Sequence, residues 1–165
     1  MPADRSYIGK TGEPVRIHIE RGTIREFASA IKDDDPIYFD EEHARREAGG
    51  IMPPVTFLQT VALWDDGKGR PRPPIDMKRA LHGEQEFELL KPIYAGDVLT
   101  AVSRIADIYE KAGKRGGTMT FVVTETEFQS LGQGVEAGPS RVRLRARKGL
   151  SMMRRPSSAG VRHEA

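Results

Sequence analysis

The feature that most constrains the fold is a change in hydrophobic periodicity near the middle of the 165-residue chain. Up to Trp64, apolar residues recur at helical spacing, whereas from Met77 onward they follow the pattern of strands. Short turns separate the predicted strands, as in an antiparallel meander. These strands cover residues 83–93, 98–109, 118–128 and 141–147. Helices first and strands afterwards predict an α+β domain rather than alternating βαβ units.

Three helices are predicted after a short strand at residues 15–19. Thr23 is a suitable N-cap for the first helix and forms a capping-box pattern with Glu26. The second helix covers residues 40–48 and runs into two glycines. The third follows Pro54, and apolar residues around much of its circumference predict a buried helix. A sheet wrapped around this helix is an economical way to bury it, although the pattern also allows other α+β sandwiches.

Composition limits the class of function. The length suits one domain with a real core. The absence of cysteine excludes disulfides, thiolate metal sites and a cysteine nucleophile, so we expect a reducing, cytoplasmic location. A net charge of only +2 argues against general nucleic-acid binding, and no apolar run is long enough to span a bilayer. We therefore expect neither nucleic acid nor membrane as a partner.

The C-terminal region is basic. Arginine alternates with apolar residues over residues 141–147, which indicates a strand whose arginines face solvent. The functional alternative is a basic face that attracts a phosphorylated cofactor or an acidic partner. Periodicity stops after Gly149. The prediction is one domain over residues 1–149 and a flexible, basic tail over residues 150–165.

Five sequence strings carry a specific resemblance. They are IREFA, DDDPIYFD, PPVTF, LHGEQEFE and KPIYAGD, at residues 24–28, 33–40, 53–57, 81–88 and 91–97. In this order and spacing they resemble the N-terminal MaoC-like dehydratase family, over most of the chain. The resemblance implies a hot-dog fold, in which an antiparallel sheet wraps around one central apolar helix.

The same resemblance implies a function and an assembly. The ligand would be an acyl-CoA or acyl-carrier-protein thioester, and the activity would be hydration of its trans-2-enoyl form or dehydration of its 3-hydroxy form. Two hot-dog folds would pair through their sheets, as a homodimer or as a heterodimer with a second MaoC-like subunit. An alternative function is a non-catalytic subunit that binds the thioester or completes the site of a catalytic partner. A hot-dog thioesterase is a weaker alternative, because residues 33–36 do not resemble its pattern.

The family resemblance places a proton-transfer loop at residues 33–40. Catalytic relatives carry the pattern Gly-Asp-x-Asn-Pro-x-His-x-Asp, whose first Asp aligns with Asp33 and whose His aligns with Tyr38. In one interpretation, Asp33 is the base or orients water, and Tyr38 or another residue supplies the missing function. In another, the Asp/His pair belongs to a partner subunit. In a third, the acids of residues 33–35 only cap and solvate a helix end.

His82 is a further candidate acid or base, because an unperturbed imidazole titrates near neutral pH. The alternative, which we favour from the sequence, is a hydrogen-bonded structural histidine. The four histidines show no metal-ligand spacing, and hydration of a conjugated thioester needs no metal. We therefore expect no metal and no cofactor.

A site for the thioester oxygen is predicted at the start of the third helix. Pro54 has no amide hydrogen but is well tolerated at a first helical position. The amides of Val55 and Thr56 would then be the first free donors at the positive end of the helix. Gly96 belongs to a predicted tight turn, residues 91–97, which in the resembled family borders the acyl-CoA channel or the subunit contact.

Overall fold

A computed structural model gives the fold of the chain. It describes residues 4–60, 69–73, 75, 78, 80–112, 117–130 and 144–153. These residues form helices α1 (Arg21–Ala30) and α2 (Glu41–Ala48) and three short 3-10 helices, Arg5–Tyr7, Pro36–Tyr38 and Phe57–Thr60. They also form strands β1 (Val15–His18), β2 (Ala80–Leu89), β3 (Val98–Ala112), β4 (Thr118–Ser130) and β5 (Leu144–Met153).

The strands form one antiparallel sheet in the order β1-β3-β4-β5-β2. Successive side chains of a strand point to opposite faces. Leu99 and Ile105 of β3 are buried on the inner face, whereas Arg104 lies on the outer face and is exposed. A register shift between Ile105 and Asp107 restarts the alternation, so that Ile108 is again buried on the inner face.

The inner face of the sheet carries the hydrophobic core. Phe57 and Phe128 are the largest fully buried side chains of the main cluster, which also contains residues of both α-helices. The rings of Phe27 and Phe57 meet edge to face with their centroids 5.6 Å apart, a favoured geometry for aromatic pairs. A smaller buried cluster consists of Ile105, Ile108 and Val122. Helices packed on one face of an antiparallel sheet confirm the predicted α+β class.

The first helix differs from its prediction at the N-terminus. Helix α1 begins at Arg21, so Thr23 lies inside it, and the predicted capping box is wrong. The N-cap is Glu20, whose side chain makes no capping hydrogen bond. The reason is tertiary, because the Ile19 amide donates to the Asp97 carbonyl at 2.9 Å and the helix starts directly after this contact. Helix α2, in contrast, ends at Ala48 as predicted and begins one residue later than predicted, because Asp40 is its N-cap.

The ends of several other elements also differ from prediction. After Pro54 the described chain forms the 3-10 helix Phe57–Thr60, and the rest of the predicted apolar helix lies outside the described residues. Strand β2 begins earlier than residue 83 and ends at Leu89. Strand β5 continues to Met153, because it pairs with β2 on one side and β4 on the other. Residues 150–153 of the predicted tail therefore belong to the sheet, and residues 154–165 lie outside the described part.

Candidate active site

Helix α1 ends in a turn that positions Asp33. The backbone of Lys32 has a φ of +59°, in the left-handed region that residues other than glycine rarely adopt. The amide of Lys32 donates to the Ser29 carbonyl at 3.1 Å, and the amide of Asp33 donates to the Ala28 carbonyl at 2.9 Å. These two bonds form a Schellman motif, and a non-glycine residue there costs on the order of 1 kcal/mol. The backbone thus holds Asp33 half-buried at the helix end.

The acidic run beyond the helix builds a local turn. The Oδ1 atom of Asp33 accepts a hydrogen bond from the amide of Asp35 at 3.3 Å. The Oδ1 atom of Asp35 accepts one from the amide of Ile37 at 2.9 Å and caps the 3-10 helix Pro36–Tyr38. Asp35 is therefore a helix cap, as the third interpretation of the acidic run predicts. Asp34 is exposed.

Tyr38 lies beside Asp33 in this loop. Burial raises the pKa of the Tyr38 hydroxyl above its ordinary value of 10.0, and the charge of Asp33 and its role as a hydrogen-bond acceptor raise that pKa further. Like an ordinary phenol, the hydroxyl is protonated at neutral pH, where it can donate a hydrogen bond. It cannot exchange a proton near pH 7 as an imidazole does. The structure thus brings together two of the three predicted catalytic residues, but neither is a proton carrier of the histidine type.

His82, the third predicted catalytic residue, is exposed on the edge strand β2. It is aligned with Leu150 and, through β5, with Val122 of the smaller cluster. Phe87 of the same strand packs on the main cluster, as Tyr38 does. Residues 82 and 87 are about 17 Å apart along a strand, so His82 and Phe87 lie at opposite ends of β2. Its imidazole has no hydrogen-bond partner among the described residues, unlike the structural histidine that we expected.

The predicted oxyanion site is a tight turn with unused donors. The Phe57 amide donates to the carbonyl of Pro54 at 2.9 Å, which closes the turn around Val55 and Thr56. The amides of Val55 and Thr56 donate no hydrogen bond within the described part of the chain. Pro54 is buried, and Val55 is 57% exposed. A small apolar depression lies beside the turn, lined by Met52, Pro53, Pro54, Val55, Leu58, Leu89 and Ile93.

Gly96 lies in a turn that ties separate segments together, as predicted for residues 91–97. Its φ of +95° requires glycine, although a Cβ atom would meet nothing within 4 Å. The Gly96 amide donates to the Ile19 carbonyl at 2.7 Å, at the end of β1. The Ala95 amide donates to the Ile51 carbonyl at 2.8 Å, just before the prolines of the oxyanion turn. The described contacts therefore give Gly96 a positioning role.

Tyr94 is a supporting residue that sequence reasoning missed. Its hydroxyl donates to the Ala48 carbonyl at the end of α2, at 2.9 Å. Gly49 and Gly50 make this contact possible. A Cβ atom would stand 3.2 Å from the Tyr94 hydroxyl oxygen if added at Gly49, and 3.2 Å from its ring if added at Gly50. The glycine pair was visible in the sequence, but no local pattern links it to a tyrosine about 45 residues away.

The described residues contain neither a metal-binding cluster nor a membrane-spanning helix. Within them, no group of three or more histidine and acidic side chains is placed to hold a metal ion. No described helix has both the length and the apolar character needed to cross a bilayer.

Comparison with known proteins identifies the class to which this fold and site belong. Residues 6–135 match the family model described as FAS1-like, dehydratase domain region. The chain therefore belongs to the FAS1-like dehydratase-domain family, and the predicted resemblance to MaoC-like dehydratases is confirmed. A UPF0336 protein of Thermobifida fusca is 37% identical over 133 residues, which cover 76% of this chain and 86% of that protein.

Solved structures agree with this assignment. The C-terminally truncated HadBC complex of Mycobacterium tuberculosis, a (3R)-hydroxyacyl-ACP dehydratase, is 25% identical with a TM-score of 0.64, over 88% of this chain and 96% of that chain. A MaoC-like dehydratase from Rhodospirillum rubrum is 19% identical with a TM-score of 0.61, over 90% of this chain and 94% of that chain. These similarities confirm the predicted hot-dog fold.

Proposed function

We propose that this chain is the substrate-holding subunit of a heteromeric hydro-lyase that interconverts 3-hydroxyacyl and trans-2-enoyl thioesters. The observation that carries the proposal is Tyr38. It occupies the position of the family histidine, but a phenol with an ordinary pKa of about 10 does not exchange protons near pH 7, and burial and Asp33 raise the pKa of Tyr38 further. Membership of a dehydratase family supports the type of reaction. The similarity to HadBC, a dehydratase complex, supports an assembly with a second subunit.

The proposed reaction has two chemical requirements. In the dehydration direction, a base removes the proton from C2 of the thioester, and the electron pair moves onto the thioester oxygen as an enolate. The bond between C3 and its oxygen then breaks, and the hydroxyl group leaves with a proton as water. The reaction therefore needs a residue that exchanges protons near pH 7 and preorganised donors for the enolate oxygen.

In this proposal the chain meets the second requirement. The amides of Val55 and Thr56 have no partner among the described residues and would donate to the thioester oxygen. Pro54 fixes the start of the turn, and the Ala95 amide, next to Gly96, donates to the Ile51 carbonyl two residues before Pro53. The apolar side chains that line the small depression beside the turn, Val55 and Leu58 among them, would contact the acyl group next to the thioester. An acyl-CoA or an acyl-carrier-protein thioester would satisfy these contacts.

The first requirement would be met by the second MaoC-like subunit, through its own Asp/His pair. The competing interpretation makes this chain self-sufficient, with Asp33 as the base and Tyr38 or His82 as its helper. Its support is the half-buried Asp33 beside Tyr38. It is weaker because His82 is aligned with the smaller cluster, whereas Tyr38 packs on the main one, and because Tyr38 has a raised pKa. A complex of this kind would work in the cytoplasm.

Hydration of crotonyl-CoA and of longer enoyl-CoAs tests the proposal. The purified chain is assayed alone, with a MaoC-like chain that carries an intact Asp/His loop, and with that chain after its loop histidine is replaced by alanine. We expect activity only from the mixture of the two intact chains. Efficient hydration by this chain alone, abolished by Asp33→Asn, would overturn the proposal in favour of a self-sufficient hydratase. The absence of hydration in every mixture, despite stable association, would instead favour a non-catalytic binding subunit.

A further inference from the structure

The outer face of the sheet, opposite the core, carries a cavity of about 460 Å³ that the proposed hydro-lyase function does not use. Strand register explains its floor. Asp107 of β3, Val123 of β4, Gly149 of β5 and Glu84 of β2 stand in one row across four strands. Gly149 has no side chain and Val123 has a short one, so the cavity is deepest over the middle of this row. The volume is in the range of ordinary ligand sites.

Two further rows form the walls of this outer cavity. On one side, the Arg104 guanidinium and the Glu125 carboxylate form an ion pair at 2.6 Å, and the Glu125 side chain is only 9% exposed. On the other side, the rings of Tyr109 and Phe121 stack with their centroids 4.9 Å apart. The register of β5 and β2 continues this second row to Leu81, which is 66% exposed. The cavity therefore has one charged wall and one apolar, mostly aromatic wall.

The floor of the outer cavity holds two carboxylates without an ion-pair partner among the described side chains. Among the described residues, Asp107 accepts a hydrogen bond only from the amide of its neighbour Ile108, at 2.8 Å. Glu84 is exposed and has no described partner. On the same strand, Glu88 is aligned with an arginine of β5, Arg145, whereas Glu84 is aligned with glycine. Lys111 already supplies a cation to the aromatic wall, since its Nζ lies 5.2 Å from the Tyr109 ring centroid and 5.5 Å from that of Phe121. The two carboxylates of the floor suit a guanidinium group, which forms ion pairs with carboxylates.

We propose that the outer cavity binds the arginine-bearing C-terminal segment of the same chain, residues 154–165. This segment contains Arg154, Arg155 and Arg162 and one acidic residue. Its charge is therefore opposite to that of the cavity floor. Attachment to the same chain also gives it an effective concentration of the order of millimolar, so weak contacts suffice to hold it.

Residues 154–165 need to span only a short distance to reach the outer cavity, because β5 ends near it. Met153, its last residue, is aligned with Met119 and lies on the same strand as Gly149 of the cavity floor. Residues 149 and 153 are about 13 Å apart along the strand, whereas residues 154–165 reach about 40 Å when extended. Arg154 and Arg155 follow the strand end too closely to turn back. Arg162 follows Pro156, Ser157 and Ser158, which favour turns, and is the arginine that we assign to the cavity.

Protection of the bond after Arg162 from trypsin tests this proposal on the full-length chain. The free peptide GVRHEA gives the rate of cleavage without protection. We expect the bond in the wild-type chain to be cleaved more slowly than in the peptide. The double variant Glu84→Gln/Asp107→Asn should raise its cleavage by about fivefold, and 0.5 M NaCl should do the same, because these contacts are ion pairs near the surface. Circular dichroism verifies that the variants are folded.

Glu88→Gln is the matched control, since it removes one carboxylate from the same strand outside the cavity. It should leave the cleavage rate unchanged. Equal cleavage in the wild type and the double variant would overturn the proposal, as would equal effects of the double variant and Glu88→Gln. Protection that weakens on dilution would overturn it too, because it would mean that the segment of a second copy fills the cavity.

Discussion

The loop around Asp33 and the turn at Pro54 both adjoin the main core, but they use their polar groups in opposite ways. In the loop, the carboxylates of Asp33 and Asp35 accept hydrogen bonds from their own backbone, and Tyr38 is protonated. In the turn, the amides of Val55 and Thr56 have no partner in the described structure. The loop is suited to stability and the turn to receiving negative charge. In the proposed function, the turn would therefore hold the enolate, and the partner subunit would transfer the proton.

The largest effect is expected from removing an amide donor from the turn at Pro54. Val55→Pro removes one amide donor, and proline is acceptable there because Val55 is the second residue of a four-residue turn. We expect turnover of the active complex to fall by about a hundredfold, the usual effect of losing an oxyanion donor, with a much smaller change in KM. Steady-state kinetics with enoyl-CoA measures this. Val55→Ala keeps the amide and is the control; a folded Val55→Pro complex with normal turnover would remove Val55 from the site.

A smaller effect, on stability, is expected from disturbing the contact between Gly49 and Tyr94. Gly49→Ala places a Cβ atom 3.2 Å from the Tyr94 hydroxyl oxygen at a φ of +86°. We expect a loss of about 1–2 kcal/mol in the free energy of unfolding, measured by urea denaturation. Gly22→Ala is the control, because a Cβ atom there meets nothing within 4 Å and alanine favours the helix. If both variants were equally stable, the contact between Gly49 and Tyr94 would not restrict the packing.

The pH dependence of stability sharpens the description of the loop. The pKa of Tyr38 is raised in the folded state, so its contribution to stability is complete below the unfolded pKa of about 10 and is lost as pH rises through the folded value. The wild type should therefore lose more stability than Tyr38→Phe between about pH 9 and 11, the range around that pKa. Urea midpoints of the two proteins at a series of pH values measure the difference. Parallel curves would show that the Tyr38 phenol is not perturbed by burial and Asp33.

The smallest effect on activity is expected from substitution of Asp33. In a self-sufficient hydratase the same substitution would have the largest effect. Asp33→Asn keeps the shape of the side chain, including an oxygen that can accept the Asp35 amide, but removes the charge. In the complex with a catalytic partner, activity should change by no more than about twofold, because the proton carrier is on the partner. Tyr38→His should likewise leave the activity of the complex nearly intact. A large loss with Asp33→Asn in the complex would assign a catalytic role to Asp33.

Much of the fold could be predicted because it depends on local patterns. Two examples are the alternation of buried and exposed residues in β3 and β4 and the capping of α2 by Asp40 and Gly49. Each depends only on residues close to it in the sequence. The ends of α1 and β5 could not be predicted, because they depend on distant partners. Helix α1 starts where Ile19 is bound to Asp97, and β5 extends as far as β4 and β2 pair with it.

The same division applies to the candidate site. The sequence by itself determined the type of fold, the family resemblance, the departure at Tyr38 and the two prolines before the free amides. Only the tertiary structure decided that Asp33 and Tyr38 are neighbours, that His82 is aligned with the smaller cluster, and that the Tyr94 hydroxyl donates to the Ala48 carbonyl at the end of α2. The physical reason is that periodicity and capping act over one or two turns of the chain. Side-chain neighbours and pKa values depend instead on which distant segments pack together.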